Sequence, residues 1–134
     1  MSERPLPGID DESRPFWDAA REGRLLVQRS EGCGRHVFYP RAICPHCHEA
    51  RLEWVDASGR GEIHSFTVAH RPAGPWFADK VPYVVALVEL DEGVRMLGGL
   101  RVEDVSSVRV GQRVRVAFDA ATDEVTIPVW ELEP

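Results

Sequence analysis

The sequence has no run of about 18 apolar residues, so it offers no transmembrane helix. Its first residues, Met1 to Asp11, are polar and proline-containing and lack the apolar core of a secretory signal. The expectation is a cytoplasmic protein with no membrane partner. Positive charge is not in excess: 16 Lys and Arg stand against 22 Asp and Glu, a formal net charge of −6. A nucleic-acid binder needs a basic face to neutralise phosphates, and an acidic total weighs against one. Cysteine is scarce and odd in number; the three residues, Cys33, Cys44 and Cys47, sit close together, which suits a metal site better than a disulfide framework. The G-x-S-x-G, P-loop and G-x-G-x-x-G signatures are absent, which removes the usual hydrolase elbow and phosphate cradles.

What is present is enough for one modest core: 134 residues, 43% of them apolar. A short helix is expected over 13–22, opened by Asp10, Asp11 and Ser13, tolerating Pro15 in its first turn, and closed by Gly23. A first short strand follows at 25–29. Gly32 and Gly34 flank Cys33, and Cys44-Pro45-His46-Cys47 forms a second tight turn. Residues 54–61 read as a turn-rich link. From there the periodicity is β, with strands expected over 62–70, 83–90, 94–100, 113–118 and 125–132. Gly98 and Gly99 suggest a bulge or a strong bend, residues 102–108 a connector or helical turn, and Pro128 an edge or irregular pairing. The fold class is therefore mainly β: a lead and short N-terminal helix (1–23), a zinc-ribbon-like knuckle (24–57) and a C-terminal five-stranded barrel of the OB-fold type (58–134). Pattern alone leaves other small barrels open.

The order of motifs resembles a known family. The matching pieces include Phe16-Trp17, Cys33-Gly34, Tyr39-Pro40-Arg41, Cys44-Pro45-His46-Cys47, Ser58-Gly59-Arg60-Gly61, Pro82-Tyr83 and Val110-Gly111-Gln112-Arg113-Val114. Members of that family join a rubredoxin-like zinc ribbon to an OB-fold and accompany thiolase-superfamily enzymes, including retro-aldolases of steroid side-chain degradation. The resemblance implies a non-catalytic accessory subunit. It would bind or channel an acyl-CoA thioester for a thiolase-fold dimer, in an assembly with two copies of each chain. It also implies zinc. The family pattern carries two C-x-x-C knuckles, and here the position in register with the leading cysteine is Ser30. A neutral hydroxyl is a poor zinc ligand. His36, three residues after Cys33, restores a four-ligand set: Cys33, His36, Cys44 and Cys47. His46 is expected to point away, and His48 and Glu31 are weaker candidates. The alternative is a metal-free knuckle held by packing of Val37, Phe38, Ile43, Leu52 and Trp54.

Two other groups are candidates for contact. The loop with Arg71, Trp76, Phe77 and Lys80 offers cations for CoA phosphates and rings for an adenine or a partner, or else it caps the barrel mouth. Phe16, Trp17, Phe38 and Tyr39 extend the expected partner surface, unless the helix folds back and covers them. No catalytic set is convincing: Cys44 or Cys47 with His46 or His36, and His64 or His70 with Glu62 or Asp79, read more simply as knuckle and solvated strand residues. A competing class is a nucleic-acid-binding module, since Arg24, Arg29, Arg35, Arg41 and Arg51 surround the knuckle and both expected parts occur in such proteins.

Overall fold

The computed structural model describes residues 3–134. Helix α1 spans Arg14–Arg21. It begins where Ser13 and Asp10 bond each other reciprocally, the Ser13 N–H donating to the Asp10 carboxylate at 2.8 Å. It ends where Gly23 takes φ +76, so that the N–H groups of Gly23 and Arg24 turn back to the carbonyls of Ala20 and Ala19. Eight residues make a marginal helix alone; burial of Phe16, Ala19 and Ala20 holds it in place.

Three strands follow: β1 Leu26–Ser30, β2 His36–Val37 and β3 Leu52–Asp56, in an antiparallel sheet ordered β2-β1-β3. Strand β3 corrects the turn-rich link expected from residue 54. Leu52 to Asp56 pair in full register with β1, from Ser30↔Leu52 to Leu26↔Asp56. Trp54 and Val55 are good strand formers, but Glu53 and Asp56 interrupt the apolar pattern that would have announced them.

The remaining strands are β4 Arg60–Ala69, β5 Tyr83–Leu90, β6 Arg95–Arg101, β7 Arg113–Ala120 and β8 Thr126–Leu132. They close into a barrel ordered β4-β5-β6-β8-β7, with β4 pairing back onto β7 and β6 running parallel to β8. This is the five-stranded OB-fold expected. The bulge, one of the two roles expected for Gly98 and Gly99, lies elsewhere. β6 pairs with β5 in unbroken register through Gly98 and Gly99, whereas β4 shifts between Ile63 and Ser65. Gly98 serves packing instead: a Cβ built there would lie 2.8 Å from the indole nitrogen of Trp130.

One hydrophobic cluster spans both parts. Phe16, Leu25 and Val27 join Ile63, Val84, Val88, Leu90, Met96, Val114 and Trp130. The helix contacts β1, β7 and β8 and bridges ribbon to barrel. That placement corrects the expectation for Phe16. At 6% exposed it belongs to the core and is no surface anchor, because a short helix between two sheets buries its apolar face against both.

Candidate metal centre and contact surfaces

Cys33 lies on the turn between β1 and β2; Cys44 and Cys47 lie on the turn between β2 and β3. In the first turn the Cys33 N–H donates to Ser30 Oγ at 3.2 Å and the Gly34 N–H to the Ser30 carbonyl at 2.8 Å. In the second, the His48 N–H donates to the Cys44 carbonyl at 2.9 Å and the His46 N–H to Cys44 Sγ at 3.4 Å. The three sulfurs all lie within 4.8 Å of one another, with Cys33 and Cys44 at 3.8 Å. Zinc–thiolate bonds of about 2.3 Å in a tetrahedron place sulfurs roughly 3.8 Å apart, so the donor set fits zinc in both softness and spacing. Burial by itself pushes the Cys44 thiol up. Hydrogen bonds from the backbone of Cys47 and His46, with Ser30 and Cys47 side chains adding to them, outweigh it and lower the thiol from 9.0 to about 6. The thiolate is the form that takes a metal.

His36 is not part of this group, which corrects the expected fourth ligand. It pairs across from Arg29. Cross-strand partners project to the same side of a sheet, and successive residues along a strand to opposite sides. His36 and Arg29 therefore share one face, while Gln28 and Ser30, both buried, share the other with the sulfurs. His36 instead lines a shallow depression with Phe38, Arg41 and His46, and His46 Nδ1 lies 3.3 Å from the Arg35 guanidinium. The residue that sequence reasoning set aside, Ser30, is fully buried with its Oγ 3.4 Å from Cys47 Sγ. Its register with the family's cysteine was the only signal available.

A groove of about 410 Å³ runs between α1, the segment Phe38-Tyr39-Pro40, β6 at Met96–Gly99 and β8 at Ile127-Pro128. An aromatic chain lines it: Phe16 to Trp17 at 4.9 Å, Phe16 to Phe38 at 5.5 Å and Phe38 to Tyr39 at 4.4 Å. Tyr39 and Leu97 stand 51% and 55% exposed at its rim.

Trp76 and Phe77 do not line this groove. They form a 3-10 turn, Pro75–Phe77, that packs on itself: Phe77 stacks on Tyr83 at 5.1 Å, and Lys80 Nζ and the Arg4 guanidinium lie 3.9 and 4.8 Å from the Trp76 ring. Lys80 also donates to the Trp76 carbonyl and pairs with Asp79, while Arg4 pairs with Asp119. Arg71 is exposed and, among the described residues, has no ion pair. Of the knuckle arginines, Arg24, Arg29 and Arg51 are paired with Asp56, Glu53 and Glu49, which shrinks the cationic face a nucleic acid would need. His64 and His70 are exposed. Among the described residues, no helix is long and apolar enough to cross a membrane.

A three-stranded ribbon with clustered cysteines, sharing its core with a closed five-stranded barrel, defines a zinc-ribbon and OB-fold protein. The comparisons narrow this. Residues 17–53 match the ChsH2 rubredoxin-like zinc ribbon domain and residues 54–119 the ChsH2 C-terminal OB-fold domain; the chain belongs to this family, also designated DUF35. It is 37% identical over 127 residues to a probable enoyl-CoA hydratase alpha subunit of Thermomonospora curvata, covering 95% of this chain but 39% of that protein. It is 40% identical over 93 residues to a DUF35 domain-containing scaffold protein of Methanothermobacter thermautotrophicus, covering 69% of each. A solved chain described as Ltp2-ChsH2(DUF35) aldolase matches with a TM-score of 0.84 and 36% identity, over 94% of this chain and 98% of that one.

Proposed function

We propose that this chain is a non-catalytic accessory subunit that binds or channels an acyl-CoA thioester for a thiolase-superfamily carbon–carbon bond enzyme, with zinc held by Cys33, Cys44 and Cys47 as a structural element. The observation that carries the reading is the likeness to a chain of the Ltp2-ChsH2(DUF35) aldolase along nearly the whole length of both. The scaffold designation of the archaeal relative is in keeping with it. Thiolase-fold dimers are two-fold symmetric, so each should receive two copies of this chain. Co-expression with the thiolase-fold protein encoded nearest to it, followed by light scattering on the purified material, is the test. A stable assembly of two copies of each chain is expected; two species that elute separately would sink the reading. The hydratase relative favours one second reading, a hydratase as the enzyme served, and co-expression with a hydratase-fold protein distinguishes the two.

The proposed partner surface is the groove rim. Trp17, Phe38 and Tyr39 supply rigid aromatic area there, and aromatic anchors concentrate binding energy at interfaces. Truncating a central one commonly costs about 2 kcal/mol, or roughly 30-fold in affinity. Tyr39→Ala is expected to weaken the complex by about that factor while leaving the melting temperature of the isolated chain within a few degrees, since Tyr39 is half-exposed. Unchanged affinity by titration calorimetry would remove this rim from the interface. For the acyl-CoA, Arg71 and Lys80 are the proposed phosphate contacts and Trp76 and Phe77 the proposed rings. Lys80 would have to exchange its bonds to Asp79 and the Trp76 carbonyl for the phosphate.

A further inference from the structure

We propose that Ser30 Oγ is the fourth ligand of the metal centre, making it a three-thiolate, one-hydroxyl site for zinc. The inference needs the centre to hold zinc and is independent of the acyl-CoA reading.

Ser30 ends β1 and is fully buried. A buried hydroxyl is costly unless its hydrogen-bonding capacity is used. Its neighbours at hand are the Cys33 N–H, at 3.2 Å, and Cys47 Sγ, at 3.4 Å. Its backbone is fixed on both sides: the Ser30 N–H donates to the Arg35 carbonyl at 2.9 Å, and its carbonyl accepts from Gly34. The sheet and the turn therefore place the Ser30 Cβ, and the Cys33 N–H holds the oxygen on the side of Cys47 Sγ.

Two separations can be set against those of a tetrahedral site. In a tetrahedron with zinc–sulfur bonds of about 2.3 Å and a zinc–oxygen bond of about 2.1 Å, sulfurs stand roughly 3.8 Å apart and oxygen roughly 3.6 Å from each sulfur. The observed separations are 3.8 Å between Cys33 and Cys44 sulfurs and 3.4 Å between Ser30 Oγ and Cys47 Sγ. Three competing side chains are turned away or paired elsewhere. His36 projects from the other face of the ribbon, opposite Arg29. His46 is against Arg35. Glu49 is paired with Arg51 at 2.7 Å. On binding, each of the three thiols gives up its proton and the hydroxyl coordinates through a lone pair. The centre then carries a formal charge of −1, where four thiolates would carry −2. Zinc accepts oxygen, but a neutral hydroxyl donates less charge than a thiolate. The site is thus weaker than a four-cysteine one and is improved by a single substitution.

The test uses the full chain. Zinc content is measured by elemental analysis as purified and after adding zinc. Affinity is measured by chelator competition, and the ligand set by the absorption of the cobalt form, for wild type, Ser30→Ala, Ser30→Cys and His36→Ala. Even outer-shell changes commonly cost about tenfold in metal affinity, so Ser30→Ala is expected to weaken zinc by at least that. Ser30→Cys should tighten it by a similar factor and raise the sulfur-to-cobalt band from three-thiolate to four-thiolate intensity. His36→Ala should change neither. Unchanged affinity and spectrum in Ser30→Ala make the fourth ligand a water and overturn the proposal, as does weakening in His36→Ala. If Ser30→Ala does not fold, Ser30→Cys carries the test, and an unchanged affinity and cobalt band there overturn it. Absence of stoichiometric zinc in the wild type under both conditions rejects the centre itself, a different failure from the wrong fourth ligand.

Discussion

Trp130→Ala is expected to cost about 3–5 kcal/mol of folding stability, the range for truncating a buried large aromatic. Trp130 is 1% exposed and is among the largest fully buried side chains. It sits where the barrel closes: β8 pairs there antiparallel with β7 at Val116 and parallel with β6 at Leu100. Its indole fills the space that Gly98 leaves by having no side chain. Removing it opens a hole between strands that have no freedom to collapse, because each is hydrogen-bonded on both edges. Domains of this size commonly have about 5–15 kcal/mol to lose, so the variant should unfold at much lower urea concentration with a similar m-value. A loss under about 1 kcal/mol would mean that the strands do repack, against the close packing expected of a core.

The second large effect is expected from the smallest possible change, Gly61→Ala. Gly61 pairs with Leu90 of β5 on one side and Val114 of β7 on the other, so it stands at the seam that closes the barrel. A methyl group there would fall on the carbonyl oxygen of Glu89 and lie 2.9 Å from the Leu90 Cα. Both are backbone atoms and cannot swing aside. Overpacking commonly costs about 1–3 kcal/mol, and this site should lie at the upper end or beyond. Gly99→Ala is the control, since nothing lies within 4 Å of its added carbon, and it should stay within about 0.5 kcal/mol of wild type. Equal melting curves for the two variants would show that the seam between β4 and β5 yields easily.

The barrel was legible because its strands advertise themselves locally. Val114 and Val116 alternate with Arg113 and Arg115, and β5 reads as an apolar run because the faces that are not fully buried remain partly covered. What failed to read was non-local. β3 is a strand because β1 offers it a partner across more than twenty intervening residues, and the propensity of Trp54 and Val55 does not by itself outweigh Glu53 and Asp56. The His36 expectation rested on spacing along the chain, while the face on which a side chain emerges is set by its pairing with Arg29. Phe16 was recognised as an anchor, but whether it docks inward or outward depends on two sheets meeting around the helix. The bulge or bend expected at Gly98 and Gly99 rests on the backbone alone, whereas Gly98 also makes room for a neighbour's ring.

The cluster that runs unbroken from Phe16, Leu25 and Val27 into the barrel has a consequence for supply and turnover in a living cell. Ribbon and barrel that share a core melt together, so whatever steadies one end lengthens the life of the other. An ion bound only by the folded chain adds stability in proportion to the logarithm of its free concentration over its dissociation constant. With zinc bound as proposed, the chain would be degraded faster in zinc-starved cells and accumulate in replete ones, and the proposed partner enzyme would inherit that nutritional dependence without touching the metal.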